Sequence, residues 1–111
     1  MSDHQTESNL GPIATKVLYE DDEVRIWDQV MPSGHHLGPH HHECDYAIVC
    51  VEGDRVEADT LPGNATGHDG HMDVEVERGK VFWVKKGGVE EAFNKSDKRF
   101  RAILVEMKQG G

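Results

Sequence analysis

Along the 111-residue chain the alternation of apolar and polar positions predicts strands almost everywhere and shows no sustained helical repeat. Val24, Ile26, Trp27 and Val30 make a first strand after the acidic turn Glu20 to Glu23. A second apolar run, Tyr46 to Val51, closes on the turn-forming Glu52-Gly53-Asp54-Arg55. Val56 and Ala58, and later Val74 and Val76, alternate with acidic residues, the period of a strand with one buried face. Between them, Thr60 to Met72 is a long glycine-rich loop. Val81-Phe82-Trp83-Val84 has no polar alternation and is predicted to be buried on both faces, while Phe100 to Met107 makes an apolar last strand. Short strands separated by turns predict an all-β sandwich or barrel, the class that contains the jelly rolls. The polar residues 1–12, ending in Gly11-Pro12, are expected to be a disordered tail, residues 13–108 one domain, and residues 109–111 a flexible end.

Composition narrows the setting. No apolar stretch approaches the roughly 20 residues of a membrane span, and the first residues lack the basic and apolar segments of a secretory signal, so a cytoplasmic protein away from membranes is expected. Cys44 and Cys50 fall in one extended segment that holds their Cα atoms roughly 20 Å apart, too far to pair with each other. The formal charge of −9 is divided unevenly: residues 1–79 carry 4 basic and 17 acidic groups, residues 80–111 carry 8 and 4. Complementary strands pairing across a sheet account for that division. Nucleic acid is excluded as a partner by the negative field and by the lack of aromatics interleaved with the basic residues.

The candidate chemistry lies in Gly34 to Tyr46, "GHHLGPHHHECDY", which holds five of the eight histidines. Read as one extended segment, His40, His42, Cys44, Tyr46, Ile48 and Cys50 share a face, and His41, Glu43, Asp45, Ala47, Val49 and Val51 share the other. His40 and His42 can therefore meet one Fe, Mn, Ni or Zn ion, which needs further ligands from elsewhere. His35, His36 and His41 are expected to be solvated and His4 to lie in the tail. His68 and His71 with Asp69 make either a second surface site or, as we expect, a polar loop. The outward stripe Ala47, Val49 and Val51 predicts a partner surface, most simply that of a homodimer.

These histidines fall in a pattern that resembles the first motif of the cupins: Gly34, five residues, His40-His41-His42, three residues, Tyr46, six residues, Gly53. The family has a glutamate where this chain has Tyr46. The second cupin motif is matched in spacing by Gly79, five residues, Lys85-Lys86-Gly87, two residues, Glu90, three residues, Asn94, with Glu90 where the family has a histidine. The "GVEE" stretch and the ending "FRAILVEMK" are most similar to small bacterial cupins associated with β-alanine degradation. The resemblance implies a double-stranded β-helix over residues 13–108, with His40, His42 and Glu90 as metal ligands. A second alignment would place Glu91 at the ligand position, and only one of two strand neighbours can face inward.

Two histidines and one carboxylate form a set that leaves positions open on the metal for substrate or oxygen. Tyr46 would be a fourth inward group, able to donate a hydrogen bond or exchange a proton, and Cys44 would look into the same cavity. The expected function is a metal-dependent enzyme of dioxygenase, lyase or isomerase type acting on a small polar, carboxylated or carbonyl-bearing substrate. The alternative is a non-catalytic binding or sensing module whose metal site has decayed.

Overall fold

The computed structural model describes residues 12–65 and 70–108 and forms nine strands among them: β1 (Lys16–Glu20), β2 (Val24–Met31), β3 (His36–His41), β4 (Asp45–Glu52), β5 (Arg55–Thr60), β6 (His71–Glu75), β7 (Val81–Val84), β8 (Val89–Phe93) and β9 (Phe100–Met107). All pairings are antiparallel. One sheet runs in the order β1-β2-β9-β4-β7 and the other in the order β3-β8-β5-β6. The expected terminal tails fall outside the described residues, Pro12 excepted.

The core lies between the sheets. In β9 alternate residues Phe100, Ala102, Leu104 and Glu106 are buried, and they pack with Met31, Tyr46 and Cys50 of the same sheet against Leu37, Val56 and Ala92 of the other. Period-two alternation fixes which face of each strand is wet, so register follows from burial. The turn after β4 requires a glycine: Gly53 has φ 134°, and a Cβ there would lie 3.2 Å from the Phe100 Cα.

Two expectations are corrected here. β7 is not buried on both faces: it is the outer strand of its sheet, and Val81 and Trp83 are exposed while Phe82 and Val84 pack inward. The histidine stretch is not one strand either, because β3 belongs to the four-stranded sheet and β4 to the five-stranded one, with the chain crossing between them at His42 to Cys44. β1 carries no alternation in its sequence and is exposed throughout. The basic residues of the last third do pair with acids earlier in the chain, Arg101 with Asp28 from strand to strand, and Arg99 with Glu52, Lys95 with Glu57 and Lys108 with Glu20 from just outside the strands. Cys44 and Cys50 are both free thiols.

Candidate metal centre

β3 and β8 lie side by side with His40 directly opposite Glu90, so the first histidine and the carboxylate meet through strand register alone. His42 is brought to them by the crossing segment, which is tied to the strand opposite by two backbone hydrogen bonds: His42 N–H donates to Gly88 O, and Gly87 N–H donates to His42 O, each at 2.8 Å. His40 and His42 are each only 2% exposed. Their Nε2 atoms lie 3.7 and 3.6 Å from the Glu90 carboxylate, and their rings meet edge to face at 4.9 Å. Among the described residues this is the one cluster of three potential ligands whose donor atoms all lie within 4.8 Å of one another.

The donor set fits a divalent transition metal. Ligands at about 2.1 Å from an ion stand about 3.0 Å apart when cis in an octahedron and about 3.4 Å apart in a tetrahedron. The observed 3.6 and 3.7 Å are longer than hydrogen bonds and need only small side-chain movements to reach those values. His40 Nδ1 lies 2.8 Å from the Gly38 carbonyl, which can only accept, so Nδ1 carries the proton and Nε2 presents its lone pair toward Glu90. The buried His42 Nδ1 has no hydrogen-bond partner among the described residues; with Nε2 turned to Glu90 it carries the ring proton, an orphaned donor of the kind that ordered water satisfies.

Electrostatics agree with ligation. Burial alone would raise the Glu90 carboxyl, but the imidazoles of His40 and His42 beside it hold it down to about 2. Burial pushes the His42 imidazole down, against the opposing pull of Glu90, so the ring is neutral at pH 7. Carboxylate and neutral imidazole are the forms that bind metals. Tyr46 stacks on His42 with ring centroids 4.1 Å apart, and burial raises its phenol well above the ordinary value, so it stays protonated and acts as a donor.

The centre opens on a cavity of about 270 Å³ between the sheets, with His40, His42, Tyr46 and Glu90 in its wall. Glu91 sits one residue away, opposite Asp59 on the other face of the sheet, which settles the choice in favour of Glu90. Cys44 does not line the cavity, because the crossing between sheets breaks the parity that would have placed it there, whereas Cys50 does. His35 and His36 are exposed and His41 partly so; His36 stacks on Phe93 at 5.6 Å. His68 and Asp69 lie outside the described residues, and His71 is engaged with Asp59 and Glu57.

Sequence reading missed Glu106. It is 4% exposed, faces inward directly opposite Tyr46 across the β4–β9 ladder, accepts a 2.7 Å hydrogen bond from Trp27 Nε1 and lies 3.1 Å from Arg25. The signal was present: an acid at the inward parity of an otherwise apolar strand has to be paired. Asn94, used only to anchor the motif, is fully buried and is a structural residue.

No protein-family model and no curated protein matches the chain. Solved structures do. A cupin domain from Bordetella pertussis superposes with a TM-score of 0.73 at 24% identity, covering 89% of this chain and 95% of that one. A double-stranded β-helix protein from Klebsiella pneumoniae gives 0.62 at 15% identity, covering 95% and 89%. A DMSP lyase from Ruegeria pomeroyi gives 0.60 at 17% identity over 81% of this chain, which spans 41% of that protein. The two antiparallel sheets and these superpositions establish that the chain has the cupin fold, a double-stranded β-helix.

Proposed function

We propose that this protein is a metal-dependent enzyme in which His40, His42 and Glu90 hold one divalent Fe, Mn, Ni or Zn ion beside a substrate cavity. The observation that carries the reading is the convergence of three buried or largely buried donors at the wall of that cavity. A bound ion would supply Lewis acidity to a carbonyl or carboxylate oxygen or, as iron, a site for oxygen. Glu90 contributes the negative charge, His40 and His42 the neutral donors. The protonated Tyr46 phenol, packed on His42, is the group placed to donate a hydrogen bond or a proton to a carboxylated or carbonyl-bearing substrate.

Dioxygenase, lyase and isomerase chemistry all suit this arrangement, and the Ruegeria lyase supplies a precedent for the second on the same fold. The resemblance to cupins of β-alanine degradation directs a first substrate screen to short carboxylic acids and their carbonyl relatives. A binding module with a decayed site is disfavoured by the directed tautomer of His40, which a ring with no ligand to hold would not need.

We further place the protein in a reducing, cytoplasmic compartment, in keeping with its two free cysteines. A homodimer is supported by the outer face of the five-stranded sheet, where Ala47 stands between Trp83 and Val105, and Val49 between Val81 and Ile103.

The deciding experiment is elemental analysis of untagged protein purified without nickel resin. About one ion per chain, lost in His42→Ala and Glu90→Ala, is expected; variants that keep the wild-type metal content would sink the proposal.

A further inference from the structure

The cavity beside the metal centre has a composition that limits what can enter it. Its walls are aliphatic and aromatic, with Met31, Ile48, Val74, Ala92, Phe100 and Leu104 among them, and no lysine or arginine lines it among the described residues. The carboxylates in its lining are Glu90 and Glu57, and Glu57 is paired with His71 and Lys95. Gln29 and the Tyr46 phenol supply neutral polar groups. A second recess of about 230 Å³ shares Tyr46 and Glu90 with the chamber and is bordered by Thr60, Asn64 and Lys85. Lys85 is 75% exposed there and faces Asp45 at 3.9 Å.

Among the described residues an anionic group inside the chamber would therefore find no lysine or arginine and would have the ion as its full positive charge, and a second anionic group would be desolvated without a partner. An apolar body, by contrast, gains from burial at every carbon. A cavity of about 150 Å³ holds benzene, so the observed volume of about 270 Å³ accommodates roughly 11 non-hydrogen atoms.

We propose that the chamber selects a ligand with a single oxygen-bearing head, a monocarboxylate or a dicarbonyl, carried at the metal, and an apolar tail or ring of up to roughly eight carbons packed between the sheets. This rests on the metal-centre reading and narrows it: small polar substrates with charge at both ends, sugar phosphates and dicarboxylates are excluded by the unpartnered second charge.

The test is calorimetric titration of the full-length protein, zinc-loaded and separately chelated, with the straight-chain monocarboxylates from butanoate to decanoate, and with adipate, which matches octanoate in non-hydrogen atoms. Affinity for the zinc form is expected to rise roughly threefold to fourfold per methylene until the chamber is full near nonanoate, and adipate is expected to bind at least tenfold more weakly than octanoate. Ala92→Leu should move the preferred length about three carbons shorter and Ile48→Ala about three longer; opposite shifts exclude adsorption to the exposed sheet face, and either variant suffices if the other does not fold.

A flat series overturns the inference. So does adipate binding as tightly as octanoate and losing that affinity in Lys85→Ala, which would seat the ligand in the polar recess. A rising series in protein that elemental analysis finds free of zinc would uphold the chamber and refute the metal centre, so the two readings fail separately.

Discussion

Asn94 clamps the ladder that sets His40 opposite Glu90 in the candidate metal centre, and its removal gives a stability change that can be worked out from the structure. It sits one residue beyond β8; its backbone N–H donates to His35 O and its carbonyl accepts from Gly34 N–H, both at 2.8 Å, which ties the end of the Glu90 strand to the start of the His40 strand. Its side chain is fully buried, donates to Met31 O and Lys98 O at 2.8 Å each, and accepts from the Ser96 N–H at 3.1 Å and the Ser96 hydroxyl at 2.7 Å. Asn94→Ala deletes all four side-chain bonds. Met31 is itself buried, so its carbonyl is left dry and unpaired at about 1–3 kcal/mol, whereas the groups on Ser96 and Lys98 can turn to water at a few tenths each. The sum is about 3 kcal/mol. With an unfolding entropy of about 2.1 cal/mol/K per residue, a chain of 111 residues loses about 13 °C of melting temperature. Scanning calorimetry on chelated protein measures this directly, and urea unfolding with an unchanged slope confirms that stability alone has moved. Zinc affinity should fall as well, because β8 is no longer pinned at its end. A melting temperature within about 3 °C of wild type would refute the reasoning and mean that water replaces the amide at all four partners.

Three further outcomes follow from the same structure. With metal held at a hundredfold its Kd, adding a chelator should lower stability by about 2.7 kcal/mol, and Glu90→Gln should weaken zinc binding by more than the roughly hundredfold typical of changes behind a ligand; calorimetry with and without chelator checks both. The folded-state values of His42 and Glu90 are depressed, so the unfolded chain binds protons more readily and each group stabilises the fold above its unfolded value, losing that contribution as pH falls. Chelated protein should therefore lose stability as pH drops from about 6.5, where free histidine titrates, with the Glu90 contribution going between about 4.5 and 2; His42→Gln should flatten the upper part of that slope in urea titrations, and an unchanged slope would count against the burial of His42. Sedimentation velocity should find a species of twice 12.4 kDa, converted to the single chain by Trp83→Lys on the exposed sheet face; a wild type that stays monomeric at every concentration would remove the dimer.

The sequence by itself determined the fold class and pointed to the three residues of the candidate metal centre. Period two is a local property of an extended segment, since successive side chains point to opposite faces, and from it the shared inward face of Tyr46 and Cys50 could be read. The resemblance to the cupin motifs implied His40, His42 and Glu90 as one set, and the β3–β8 register sets His40 directly opposite Glu90. What only the tertiary structure decided is wherever the chain changes sheets or meets a partner distant in sequence. The crossing at His42 to Cys44 reset the parity that had directed Cys44 inward, and the position of β7 at the sheet edge exposed a strand whose composition reads as buried. The pairing of Glu106 with Trp27 and Arg25 spans nearly the whole chain. The apolar lining of the chamber is likewise a property of two sheets facing each other: both contribute inward side chains, and only their assembly shows that no lysine or arginine of the described residues lines it.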